Sequence, residues 1–552
     1  MKTPEWLSPI AYRAEPTSSR VGPKDPVRGE RAVCSSQHPL VTDAMAWVLR
    51  DGNAIDAAIA GALLQATVQQ VMTNHAGTVT MLMWEAETAT IHELNSYAMI
   101  APDLPRFGHI PASRMGRPRH AHLPGFMPGL KALYERFATR PWASLCEPAI
   151  FWATEGFVVS SLEHRTMSES WPMFSYTEAG RAHFAPDGDL PQVGDRVPNP
   201  ALAETLRNLA AEGPDYFITG GWAEAFVKRA NDLGWPVEKR HMSSVEPRWS
   251  SGTRFSHRGY EVVQQSPPQM QAVHCAIVLG ILRELDIAAL GHYSESAEAL
   301  YYMAHALRRA RLEVGYINDP LIFEDPTATL MSAEYHKFLA DVLRTSRPKI
   351  DLSRHVQLQS GRRLPREGIT DSCEISIVDS CGNWVQMMNT RSLGGIPGEV
   401  VGGVPMEGGD TPTSLNSSAN RSGWLTGGGH VRSCLGNTLV LREGRPWMAL
   451  GTPGHVHCTV PQVLSNVLDY GMNPLEAEAM PLMTPLTDDY VVSIESRLAP
   501  GVELGLAKMG VSVVPLEAYT WHKGSFEMSW VGDDGALYGG SGRRREGKSL
   551  GI

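Results

Sequence analysis

The chain has no apolar run long enough to cross a membrane; its cleanest stretch, CAIVLGIL at 275–282, has the length of a buried helix. It has no Lys/Arg block, and acidic residues outnumber basic ones by 59 to 49, a net charge of −10 that argues against a phosphate-backbone binder. Cysteines number seven, an odd count without a C-x-x-C pair. That speaks against a disulfide scaffold or a zinc ribbon and suits a reducing compartment. The opening MKTPEWLSPIAYRAEP lacks the apolar core of a secretory signal, so the expectation is a cytoplasmic protein with no membrane and no nucleic-acid partner. Three catalytic signatures are also missing: H-E-x-x-H, a G-x-G-x-x-G leading from strand to helix, and the G-x-S-x-G elbow. His75, His92, His120, His122, His455 and His457 are therefore histidines without metal spacing, and neither a metal nor a cofactor is expected.

What is present suits a large folded core. The 552 residues are 43% hydrophobic and 20% charged, ordinary usage for a globular chain. In GNAIDAAIAGALLQATVQQV (52–71) the residues Ile55, Ala58, Ile59, Ala62, Leu63 and Ala66 recur at helical spacing on one face. TVTMLMWE (78–85) and ATIHELN (89–95) read as paired strands, 127–137 and 142–155 as helices, and 266–314 as two longer helices. From 372 the texture changes to short strands with turns at Asp379–Asn383 and Glu443–Arg445. Residues 394–430 read as a long mobile loop in which Gly402-Gly403 and Gly427-Gly428-Gly429 act as flexible linkers. TVPQVLSNVLDYG (459–471) reads as a helix. A helical front followed by a sheet-rich back gives an α+β or layered class.

Two local patterns carry chemistry. GTPGHVH (451–457), just before a helix, can offer free backbone N–H groups to an anion or oxyanion. Ser372 opens an alternating strand in which Ser372, Ser376 and Val378 share one parity and Cys373, Ile375 and Ile377 the other. A serine there is usually a turn residue, but after chain cleavage before it a free α-amine could act as its base.

These segments, in this order, resemble the γ-glutamyltransferase family from about residue 30 to 545: GNAIDAAIA (52–60), PGFMPGLKALYERF (124–137), SPPQMQAVHCAIVLGIL (266–282), GYINDP (315–320), SIVDSCGNWV (376–385), GTPGHVH (451–457) and DGALYGG (534–540). The resemblance implies an α+β four-layer αββα sandwich of the N-terminal-nucleophile hydrolase type. It implies a precursor that cuts itself into a large, helix-rich part (1–371) and a small, sheet-rich part (372–552), intertwined as one domain and held together as a heterodimer. In the family the S-V-V-D strand starts four residues after the nucleophile. Counting back from Ser376 gives Ser372, with Asp371–Ser372 as the implied scissile bond, Ser in place of the usual Thr, and Cys373 as the nearest competitor. The supporting Thr falls on Thr390. The paired oxyanion glycines fall on Gly454 and His455, the second a departure whose side chain is expected over the acyl pocket or capping the following helix, with an inflection in activity near ~6.5 if it lines the pocket.

The implied substrate-binding positions are Ser392, Asp410, Ser433 and Cys434, and most depart from the family. The segment LNSYAMIAP (94–102) lacks the Arg that clamps a glutamyl carboxylate, leaving Arg391 or Arg432 as replacements. The expected activity is thus hydrolysis of a small, non-glutamyl amide through an acyl-enzyme on Ser372. The alternatives are a true γ-glutamyltransferase or glutathione hydrolase, and an uncleaved relative that only binds.

Overall fold

The computed structural model describes residues 21–103, 122–234, 237–345, 372–391, 394–407 and 427–552. Two seven-stranded antiparallel sheets stack face to face between helical layers. The first runs in the order Val27–Gly29, Leu537–Ser541, Glu527–Val531, Arg445–Gly451, Thr438–Arg442, Tyr260–Gln264, Thr253–His257. The second runs Lys548–Gly551, Val33–Ser36, Cys373–Val378, Trp384–Thr390, Thr78–Glu85, Thr90–Ser96, Arg248–Ser250. Both sheets draw strands from either side of residue 372. This is the αββα sandwich that the resemblance implied.

The alternation read from the sequence decides which way each strand faces. Ser376 points between the sheets, where its Oγ lies 2.9 Å from Ser529 Oγ. Ile375, of opposite parity, faces the helices: a Cβ on Gly61 would lie 3.0 Å from its Cδ1. The helix Ala54–Val68 departs from its one-faced pattern, because every residue in it is buried. Its alanines and Gly61 are small enough for sheet and helices to close on all sides, and a Cβ on Gly61 would also come 2.8 Å from Met45 Sδ. Its start is fixed twice, by a capping box at Asn53 and by Asp379 Oδ2, which accepts from the Ala54 N–H at 2.9 Å. Asp379 Oδ1 also accepts from Cys381 and Asn383 N–H, so one side chain closes the turn between two strands and anchors a helix 325 residues away.

Other elements fall where the periodicity put them: strands Thr78–Glu85 and Thr90–Ser96, helices Phe126–Phe137, Trp142–Glu155, Gln271–Glu284 and Ala297–Glu313. The last long helix begins at Val456, three residues before the sequence pattern suggested. The 394–430 segment needs correction where it is described. Val400–Val401 and Val404–Pro405 form a hairpin, and Gly402 and Gly403 are its turn, at φ +56° and +74°. They are not linkers: a Cβ on Gly403 would lie 2.3 Å from Leu202 N, so the turn is pressed onto the helix Pro200–Glu212. Residues 408–426, including Asp410, lie outside the described residues, as do Asp371 and Ser392.

Candidate active site

Ser372 stands at the mouth of the strand Cys373–Val378. Cys373 pairs with Asn389, so the register places Ser372 directly opposite Thr390, the last residue of the next strand. Thr390 in turn pairs with Thr78 on its other side. Three hydroxyl residues thus sit abreast at one end of the second sheet. The Ser372 N–H donates to Met72 C=O at 2.9 Å, and the Arg391 N–H donates to the same oxygen at 3.2 Å. Ser372 has φ +105°, a strained value for a residue with a Cβ.

The neighbouring loop is moulded on Thr390. A Cβ on Gly77 would fall 1.9 Å from the Thr390 carbonyl oxygen, so only glycine lets the 74–77 turn lie against that strand end. The Gly77 carbonyl accepts from the N–H groups of Gly125 and Phe126, which seats the helix Phe126–Phe137 beside the site. Cys373, the alternative nucleophile, is fully buried, and its Sγ donates to Gln69 Oε1 at 3.2 Å. Its parity turns it toward the helices.

The 451–457 turn links the strand Arg445–Gly451 to the helix Val456–Leu468. Gly454 has φ +90°, and a Cβ there would meet His522 O at 2.8 Å and Gly524 N at 3.0 Å, so both backbone sign and space demand glycine. The Val456 N–H donates to Gly454 C=O at 2.8 Å, an inverse γ-turn centred on His455 at φ −76°, ψ 53°. Among the described residues neither the Gly454 nor the His455 N–H has a hydrogen-bond partner. Two adjacent unspent donors at a helix N-terminus can stabilise an oxyanion.

His455 occupies the N-cap position, yet its side chain makes no cap hydrogen bond. Its Nδ1 lies 3.4 Å from Lys523 Nζ. Burial first, then the neighbouring charges of Lys523, His457 and His522, hold its pKa well below the ordinary histidine range. The imidazole is neutral at working pH, which moves the expected inflection away from 6.5.

Three groups that sequence reasoning missed tie these pieces together. Arg545, almost fully buried, donates from Nη1 to the Ser372 carbonyl at 3.4 Å and from Nε to the Trp521 carbonyl at 3.3 Å. The short turn Trp521–Lys523 then carries buried Lys523 to His455. Beneath Ser372, on the same strand face, Glu374 is sealed between the sheets. Gln386 Nε2 donates to its Oε1 at 2.8 Å, yet burial raises its pKa to about 8. Its neighbour Glu527 is raised as well, by burial and by Glu374 itself. The only local signal for Glu374 is a charged residue inside the apolar run SCEISIV. Arg545 and Lys523 have none, because their meaning lies in what the fold brings to them.

The implied substrate positions fare unevenly. The Ser433 N–H donates to Gln269 Oε1 at 2.7 Å and its carbonyl accepts from Met270 N–H, so its backbone is spent on scaffold. Cys434 is half-buried with its thiol pKa pushed up to about 12 by burial. The segment adjoins the 451–457 turn, since a Cβ on Gly436 would lie 2.5 Å from Thr452 O. Neither replacement clamp is placed as a surface cation. Arg391 is buried over the Phe174 ring, with Nη1 on Ser170 Oγ at 3.4 Å and Nε 3.8 Å from Glu407. Arg432 donates to the carbonyls of Gly315 and Ile317. Among the described residues one group, Asp103, Glu238 and His241, has metal-like spacing, but Arg240 already pairs with both of its carboxylates.

The glutathione hydrolase proenzyme of Escherichia coli K12 is 26% identical over 94% of this chain and 91% of its own. An acylase ACY 1 proenzyme of Pseudomonas sp. V22 is 25% identical over 96% and 95%. The crystal structure of cephalosporin acylase from Bacillus halodurans superposes with a TM-score of 0.81 over 98% of each chain at 20% identity, a likeness of fold. The family described as Gamma-glutamyltranspeptidase matches residues 42–552. The chain therefore belongs to the gamma-glutamyltranspeptidase family and is an enzyme of the N-terminal-nucleophile hydrolase type.

Proposed function

We propose that this enzyme is a self-processing amidohydrolase that cuts its own chain between Asp371 and Ser372 and then hydrolyses a small amide other than a γ-glutamyl one. The observation that carries the reading is the register, which sets Ser372 at a strand entrance opposite Thr390. In processing, the Ser372 hydroxyl attacks the Asp371 carbonyl, the C–N bond breaks so that the peptide becomes an ester and the Ser372 α-amine is freed, and water then hydrolyses the ester, releasing the Asp371 carboxylate and restoring the hydroxyl. In turnover that amine takes the hydroxyl proton as Oγ attacks the substrate carbonyl. The N–H groups of Gly454 and His455 receive the oxyanion. The amine returns the proton to the leaving nitrogen, and water then attacks the Ser372 ester to free the acid. Thr390 orients the nucleophile. Arg545, through the Ser372 carbonyl, fixes the backbone on which it swings.

The glutamyl pocket supplies the substrate argument. No arginine occupies 94–102, Cys434 offers a weak donor in place of a hydroxyl, and Arg391 and Arg432 are engaged with protein groups. A carboxylate placed there would lose a charge-assisted pair that contributes roughly 1.5–3 kcal/mol.

Intact-mass measurement with N-terminal sequencing tests the reading. Fragments near 40 and 20 kDa are expected (about 110 Da per residue), the smaller beginning SCEISIVD. Ser372→Ala should stay as one chain without amidase activity. A fragment beginning at Cys373 would move the nucleophile to the thiol, and an uncut, inactive wild type would leave a binding protein. Efficient turnover of γ-glutamyl-p-nitroanilide would restore the glutamyl reading.

A further inference from the structure

The turn that carries the oxyanion donors is locked to a second turn. A Cβ on Gly454 would meet His522 O at 2.8 Å, and one on Gly524 would meet Pro453 O at 1.9 Å and Thr452 Oγ1 at 2.3 Å. The 451–457 and 521–524 turns thus close on each other through two glycines, one from each. That contact brings Lys523, a fully buried side chain, to 3.4 Å from His455 Nδ1. An ammonium group has donors only, so the ring nitrogen facing it is the acceptor and the ring proton sits on Nε2. Burial first, then the charge of Lys523 itself, keeps that ring neutral.

The contact decides what His455 does not do. A histidine at an N-cap can serve its helix: His38 Nδ1, at the start of Pro39–Val48, accepts from the Leu40 N–H at 3.2 Å. His38 does so from extended backbone, ψ 125°, and the capping side chains of Asn53 and Ser160 also stand on extended backbone. His455 stands at ψ 53°, makes no cap bond, and centres the γ-turn in which the Val456 N–H reaches Gly454 C=O. The two conformations exclude each other. Extending ψ at His455 opens the γ-turn and rotates the Gly454 and His455 N–H groups relative to the helix. The donor a cap would satisfy is still there: among the described residues the His457 N–H has no hydrogen-bond partner.

We propose that Lys523 is a positioning residue for amide hydrolysis: by engaging His455 Nδ1 it holds the γ-turn against the competing helix cap, and with it the two backbone donors that receive the oxyanion. The inference rests on Gly454 and His455 as the oxyanion pair. It also accounts for a histidine where the family carries glycine. Glycine has no side chain to cap with, whereas a histidine keeps the turn only while its acceptor nitrogen is occupied elsewhere.

Substitution at the N-cap tests this without disturbing the buried lysine, because asparagine is a strong cap and alanine is none. His455→Asn should melt above His455→Ala yet turn over acetyl- or phenylacetyl-p-nitroanilide with a kcat lower by about tenfold or more, at a KM within about twofold. Lys523→Met should lower kcat to a similar degree alone, and by less than about twofold in the His455→Ala background, because the lysine acts through the ring. Lys523→Gln keeps a donor and should recover part of the loss. If the Lys523 variants do not fold, the two His455 variants still decide. Crystal structures read the turn without turnover: the γ-turn in wild type, and in His455→Asn and Lys523→Met an extended position 455 with its side chain on the His457 or Cys458 N–H. Those structures in an enzyme that cleaves no amide uphold the positioning and sink the oxyanion reading. A wild-type His455 that caps the helix, a γ-turn unchanged in both variants, equal kcat for His455→Asn and His455→Ala, or an equal loss from Lys523→Met with and without the ring overturns the proposal.

Discussion

Replacing Glu374 by glutamine isolates the burden of an acid buried under the candidate nucleophile. Glu374 is fully buried between the sheets, its Oε1 accepts one hydrogen bond from Gln386, and its Oε2 has no partner among the described residues. Its pKa rises from the model-peptide 4.5 to about 8. Between those two values the unfolded chain releases this proton and the folded chain keeps it, so stability falls as pH rises across that window. The gap of about 3.5 corresponds, at about 1.36 kcal/mol per pKa unit, to a ceiling of order 5 kcal/mol by pH 8. Water entry and local opening reduce this in practice. Glutamine keeps the size, still accepts from Gln386 and cannot ionise. The assay is thermal unfolding of wild type and Glu374→Gln from pH 5 to pH 8.5, on material of matched cleavage state. The variant should lose less stability toward alkaline pH and melt several degrees above wild type at pH 8. Parallel curves for the two proteins across the whole range would refute the reasoning, because a Glu374 ionised in the native state has no such penalty.

Gly77→Ala should impair processing and lower the melting temperature, because its Cβ would be driven into the Thr390 carbonyl at 1.9 Å; gel densitometry of the uncut fraction checks this, and full cleavage with unchanged melting refutes it. His455→Gly should leave the activity profile unchanged between pH 6 and 8, since the imidazole is already neutral there, and the loss of an inflection near neutrality in that variant would contradict the assignment. Asp379→Ala removes a helix cap and two turn bonds at once and should cost about 1–2 kcal/mol in denaturant unfolding; a midpoint within error of wild type would show that the turn holds without it.

Periodicity made many of the elements legible. The composition of Thr78–Glu85 and the two parities of Cys373–Val378 announced strands, but both are buried on both faces, so which parity meets the other sheet was decided only by the fold. The offset from Ser376 picked out Ser372, and the pattern ahead of the last long helix picked out Gly454. Burial on all sides of Ala54–Val68 was not legible, since a helical period reports one face and small residues are compatible with either outcome. The glycines at 402 and 403 read as linkers because their partner, the helix at 200–212, lies two hundred residues away.

The sequence by itself marked out many of the strands and helices, because their periodicity is written in local spacing, and carried the family resemblance that points to Ser372 as the candidate nucleophile. Only the tertiary structure decided what surrounds that serine. Met72, Glu374, Arg545 and Lys523 come from four separate segments and acquire a role only when the two sheets stack. The ionisation of Glu374 and His455 belongs to the same category: it depends on how much water the packed layers exclude, and that is a property of the assembled fold.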